Sequence, residues 1–271
     1  MKLFLFFIST VCIFFSCSNN NTDEAISENP SVAANKEQQY KDLIKKYPDS
    51  QLLKERLVQY YRDNNNYDAA INETDAQIKK DSSNDRWWDI RATLFSENDD
   101  TANAILSWEK ATSINPQPRY LLPLGYLYAD RKNPKALFIA QLLMNSDSSK
   151  KNKEALLISG IYYSKSDKQK AISFYDQALG VSYTFMPAYR EKAIALYDLA
   201  KYNDAIAVLQ RALTVQSTYD EAYYWMGRCY EKLNRKDLAI ESYQRAIDFS
   251  KETSNTDYIE AIDALKKLNG E

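Results

Sequence analysis

Cys12, Cys17 and Cys229 are the most reactive side chains in a sequence that contains no histidine. Without an imidazole, Ser-His-Asp and Cys-His nucleophiles are excluded, as are His-ligated zinc and haem and the commonest general acid and base. Three cysteines are too few for a disulfide framework or a four-cysteine metal site. Carboxylates are plentiful, but they fall mostly in turns and on polar helix faces, as in Asn98-Asp99-Asp100, Asp204 and Asp237. Nothing selects a pair of them for acid/base work. No phosphate-binding glycine loop, dinucleotide fingerprint or calcium loop occurs. The chain therefore reads as a non-enzyme with no catalytic residue, metal, cofactor or evident small-molecule substrate. A hydrolase with an unmarked carboxylate site is the enzyme alternative. The 35 Lys and Arg against 37 Asp and Glu leave no basic excess for a nucleic-acid partner. With 45% apolar and 27% charged residues, the 271-residue chain can bury a core.

Cys17 differs from the other two cysteines in what precedes it. Lys2 is followed by an apolar run from Leu3 to Phe15 that is too short to span a bilayer and has the length of a secretory segment. The run ends at Ser16-Cys17-Ser18, which resembles the lipobox of bacterial lipoproteins, although Phe14 departs from the usual aliphatic residue. The resemblance implies that residues 1–16 are a signal peptide, that Cys17 is lipidated with palmitate-type chains, and that Cys17 starts the mature protein. Ser18 resembles the sorting residue of outer-membrane lipoproteins. Two or more acyl chains hold a protein stably at a membrane where one does not. Ser18 to Ala34, rich in Asn, Ser and acid, reads as a flexible linker following the lipidated residue (17–34).

The rest is periodic. Ala followed by an aliphatic residue recurs at Ala70, Ala104, Ala136, Ala171, Ala205 and Ala239, at intervals of 34, 32, 35, 34 and 34 residues. Seven residues on lie Gln77-Ile78, Ala111, Leu143, Ala178, Ala212 and Ala246. Between them stand Trp108, Ala140, Tyr175, Leu209 and Tyr243, with Thr74 as the exception. A second helical stripe precedes each alanine, clearest in Tyr223-Met226-Gly227-Tyr230 and Trp88-Ala92-Phe95. This pattern resembles the tetratricopeptide repeat. The expected fold is all-α: a right-handed superhelical solenoid of antiparallel helix pairs, with about six repeats at 51–253. A leading half-repeat helix is expected at 35–50 and a capping helix at 256–268. Such pairs cannot bury their apolar faces alone and must stack. Pro123 is expected in the first turn of its helix and Pro134 at a helix start, with a local change of pitch there. Adjacent Trp87 and Trp88 point about 100° apart, so one of them is expected at the surface.

In tetratricopeptide proteins the first helix of each pair lines an inner groove that holds a partner peptide or helix. The resemblance places Arg62, Arg86, Thr93, Tyr126, Tyr163, Arg190, Ile194, Tyr197, Tyr224, Arg228 and Glu231 there. Tyr and Arg are residue types that interfaces enrich. Arg190 and Arg228 either converge on an acidic segment or pair locally with Glu191 and Glu231. The Lys/Asn clamp of chaperone-binding members is absent: Asp89, Thr93, Arg190 and Ile194 stand in its places. The expected function is a protein–protein scaffold or adaptor, anchored by lipid to the bacterial envelope, in the outer membrane. The alternative is a self-assembling structural spacer.

Overall fold

The structure is a computed structural model that describes residues 30–146, 151–250 and 257–270. These are helical with no strand among them. The signal peptide, Cys17 and most of the linker read from the sequence lie outside the described residues. The chain divides into two compact units, residues 1–115 and 116–271.

The first unit holds α1 (Pro30–Lys46), α2 (Gln51–Asp63), α3 (Tyr67–Lys80), α4 (Asp85–Glu97) and α5 (Thr101–Ile114). The helix α1 begins inside the stretch read as linker, because Pro is favoured at a first helical position, where no N–H is needed. Side chains of Ser50, Asn66, Asn84 and Asp100 accept backbone N–H bonds at the starts of α2 to α5. Each satisfies one of the donors that a helix start leaves over. Ala70 and Ala104 are wholly buried, as is Ala111. Thr74 takes the large-residue place in the first pair, and its hydroxyl donates to the Ala70 carbonyl at 2.8 Å. That bond removes the cost of burying the hydroxyl.

The second unit holds α6 (Pro118–Asp130), α7 (Lys135–Ser146), α8 (Lys153–Ser164), α9 (Lys168–Val181), α10 (Met186–Asp198), α11 (Tyr202–Val215), α12 (Asp220–Lys232), α13 (Lys236–Ser250) and α14 (Asp257–Asn269). Consecutive helices pack as antiparallel pairs, and α14 closes against α12 and α13. Ala136, Ala171, Ala205 and Ala239 are wholly buried. Three close approaches need glycine. A Cβ on Gly227 would lie 2.7 Å from the Tyr243 ring, and one on Gly160 would lie 2.2 Å from the Tyr175 ring. A Cβ on Gly125 would meet Ile158 at 2.7 Å, so Gly125 lets α6 settle on α8. Pro123 is not in the first turn of α6: five helical residues precede it. Its missing N–H leaves the Arg119 carbonyl without its helical donor, yet the helix continues to Asp130.

One turn recurs within the pairs. Asn65, Asp99, Lys132, Ala200 and Asn234 all have φ between 53° and 59°. Each follows a first helix. The next N–H reaches back to the carbonyl five residues earlier, as from Lys201 to Leu196 at 2.9 Å. This is the left-handed helix cap, here built without glycine. The α8–α9 pair differs: Lys165 stays right-handed and the Asp167 N–H bonds the Tyr163 carbonyl at 2.7 Å.

Candidate partner-binding surfaces

In the first unit the first helices α2 and α4 border an open groove of about 310 Å³. Arg62, Arg86 and Thr93, expected there from helix phase, all line it, together with Leu52, Glu55 and Arg56. Leu52 is 63% exposed. Arg86 grips the Glu55 carboxylate through two nitrogens, at 2.5 and 2.6 Å, and this contact, against a smaller burial effect, holds the carboxyl below its usual range. Arg62 grips Glu97 in the same bidentate way. That contact raises the guanidinium pKa. Arg56 is exposed and has no carboxylate partner among the described residues. Thr93 donates to the Asp89 carbonyl at 3.0 Å, and the Asp89 carboxylate accepts the Trp108 indole N–H at 2.9 Å. Trp87 is in the core. Trp88, which the sequence stripe placed on the packed face, is instead the half-covered one: its indole N–H donates to the Ser82 carbonyl at 3.0 Å and Arg91 lies over its ring.

In the second unit the expected residues have different fates. Tyr126 is largely covered, and burial, with Glu154 next in effect, pushes its phenol pKa up. Tyr163 stacks on Phe174 with centroids 5.5 Å apart and carries the Lys170 ammonium 3.8 Å above its ring. Arg190 donates to both oxygens of Glu221, at 3.0 and 3.2 Å, and to Glu191 at 3.1 Å. Glu221 also accepts the Tyr219 hydroxyl at 2.5 Å. The guanidinium that was expected to face a partner is thus occupied by its own chain. Ile194 is partly buried. Tyr224 is only 6% exposed, because its hydroxyl donates to Glu260 of α14, which the helix phase alone did not reveal. Tyr197 meets Tyr202 and Trp225 edge-on. Arg228 does not pair with Glu231, which accepts the Tyr243 hydroxyl instead. Its guanidinium lies over the rings of Trp225 and Tyr197. Sequence reading also missed three exposed apolar residues, Phe138, Leu106 and Tyr183. Tyr183 borders a second cavity of about 450 Å³ with Arg211 and Thr214. None of the three falls on the recurring stripe, so periodicity carries no signal for them.

Among the described residues no helix is long and apolar enough to cross a membrane. No group of three or more metal-type side chains gathers among them either. Residues 190–253 match the tetratricopeptide repeat family model. A tetratricopeptide repeat protein from Parabacteroides merdae superposes with a TM-score of 0.71 at 17% identity, over 88% of this chain and 93% of that one. The fold is a tetratricopeptide repeat solenoid. The pilus biogenesis factor PilW is also similar, with a TM-score of 0.60 at 17% identity over 78% of this chain and 97% of its own. Among curated proteins, the STIP1 homolog of Dictyostelium discoideum is 29% identical over 112 residues, 39% of this chain. The chain spans about a fifth of the length of the curated relatives it matches. The α10–α13 repeats carry the family match, and they also hold the Arg190 network and Arg228.

Proposed function

We propose that this chain is a lipid-anchored adaptor of the bacterial envelope that holds a segment of a partner protein against the first helices of its repeats. The repeat fold supports a protein–protein scaffold in general. The observation that carries the finer reading is the groove on α2 and α4. Arg62, Arg86 and Thr93 border one open depression there, beside exposed Leu52 and Arg56, which has no carboxylate partner among the described residues. Such a mix of apolar area and arginine is what protein interfaces concentrate. The anchor rests on Cys17 and the apolar run before it, with attachment at the outer membrane. PilW, a widely conserved type IV pilus biogenesis factor, has a similar fold.

The test is crosslinking of the full-length tagged protein in its own cells, followed by affinity capture and mass spectrometry, with Cys17→Ala alongside. A small set of envelope proteins is expected, reduced in the Cys17→Ala strain. An unchanged set in that strain would overturn the anchoring role, and recovery of the chain alone would overturn the adaptor. The second reading, a self-assembling spacer, is favoured by Phe138 and Leu106, which stand 66% and 59% exposed on second helices. Light scattering of the protein from Ser18 onward separates the two, since a concentration-independent monomer removes the spacer.

A further inference from the structure

Four arginines were expected on the inner faces, and three have their charge answered within the chain: Arg62 by Glu97, Arg86 by Glu55, Arg190 by Glu221 and Glu191. Arg228 is the exception. No carboxylate of the described residues pairs with it. Glu231, one turn along α12 and able to reach it, is engaged by the Tyr243 hydroxyl. What surrounds Arg228 is aromatic. Its guanidinium carbon lies 4.6 Å from the ring centre of Trp225, 5.0 Å from that of Tyr197 and 5.9 Å from that of Tyr224. The guanidinium lies over these rings, the favourable cation–π arrangement. A hydrogen bond to the Tyr197 hydroxyl uses part of the N–H edge, and the rest of that edge, the part that makes bidentate bonds, meets no carboxylate among the described residues.

We propose that Arg228 receives a side-chain carboxylate from an acidic segment of the partner, with Tyr197 and Trp225 as the walls for the apolar residue beside it. This rests on the adaptor reading and names the partner's chemistry at one position. The half-buried rings displace water around the guanidinium, and a charge-assisted pair strengthens where the local dielectric is low. The planar fork matches a carboxylate. Phosphate-bearing motifs are instead read by clusters of arginines. Arg228 touches rings and no second cation, so the carboxylate is the better fit. Tyr197, Tyr202 and Trp225, already packed edge-on, lose little side-chain freedom on binding.

The experiment is calorimetry on the full-length protein in detergent. The probes are a capped hexapeptide alternating Glu and Leu, its Gln-for-Glu twin, sodium acetate and inorganic phosphate. The Glu peptide is expected to bind and the Gln twin to bind at least about tenfold more weakly, because the charge-assisted bonds are lost. Arg228→Lys keeps the charge and loses the fork, so it is expected to weaken the Glu peptide about tenfold. Arg228→Gln is expected to abolish binding, and Lys79→Gln, on the exposed surface of α3, to change nothing. Circular dichroism melts check folding, and if Arg228→Gln unfolds, Arg228→Lys carries the test. Equal affinity of wild type and Arg228→Lys overturns the proposal, as does no heat from the Glu peptide at millimolar concentration. Phosphate binding more tightly than the peptide, with the same dependence on Arg228, also overturns it. Envelope partners still captured in cells by Arg228→Lys at wild-type yield would leave the adaptor standing while this site falls.

Discussion

Arg190 shows how a residue of interface type becomes part of the framework. Burial alone would push its pKa down, but Glu191 and Glu221 more than offset that and hold it above the ordinary value. Burial, with the Glu221 charge adding to it, raises the Tyr219 phenol well above its usual range. The group ties α10 to α12 through charges that are almost out of water, Glu221 being 7% exposed. Removing one partner of such a pair strands the other. Arg190→Ala is therefore expected to cost about 3–5 kcal/mol in urea unfolding. The double variant Arg190→Met with Glu221→Leu should recover much of that loss, and a recovery near zero would mean the pair is not coupled. From the sequence, Glu191 was visible as a neighbour of Arg190. Glu221 was not, because it lies 31 residues away and only the stacking of one repeat on the next brings it close.

At the scale of elements, the helix pairs were legible and their turns were not. Six buried alanines at near-constant spacing mark the pairs, since a small residue is needed where two helices touch. The left-handed turn after five of the six first helices has no such mark. Asn65, Asp99 and Asn234 are types that tolerate positive φ, but Lys132 and Ala200 are not. Gly160 shows a second limit: the spacing from Gly227 to Ala239, carried back from Ala171, falls on Ser159, and packing instead puts Gly160 under the Tyr175 ring. The turns yield a prediction. Ala200 holds φ at 57°, which costs an L-residue roughly 1 kcal/mol or more. Ala200→Gly should therefore raise the unfolding free energy by about 0.5–1 kcal/mol after glycine's added unfolded-state freedom is counted. A lowered thermal midpoint would contradict the assigned backbone.

For the molecule as a whole, the missing histidines and the buried thiol and phenols fix the pH response. Burial pushes the Cys229 thiol up to about 12, and it pushes the Tyr175 and Tyr243 phenols well above their ordinary range. The unfolded chain loses its thiol proton near pH 8.5, while the folded chain keeps it. The folded state thus binds more protons in this window, so stability falls as pH rises. The thiol's contribution is complete below about 8.5 and is lost by about 12. The urea midpoint is expected to decline from about pH 9 upward. Cys229→Ala should make the early part of that decline shallower, and an unchanged slope would show the thiol to be solvated. The repeat resemblance, carried along the helix phase, pointed to Arg62, Arg86 and Thr93, which border one groove. It had no means of telling which arginine lacks a partner, because that depends on carboxylates brought in from other helices.

The turns within pairs carry a consequence for how such a chain can change length. They are three residues long, or four where Pro134 precedes α7, whereas successive pairs are joined by three to six. A residue added inside a pair would advance the second helix by about 100° and swing its alanines out of the crossing. The joins between pairs open on a shared extended cap, at Asp81, Asn115, Ser182 and Gln216, whose N–H bonds the carbonyl four residues back, but beyond that cap their length varies. Because those joins already differ in length while the turns within pairs hardly do, tags, labels and inherited length changes are expected to fit between pairs rather than within one.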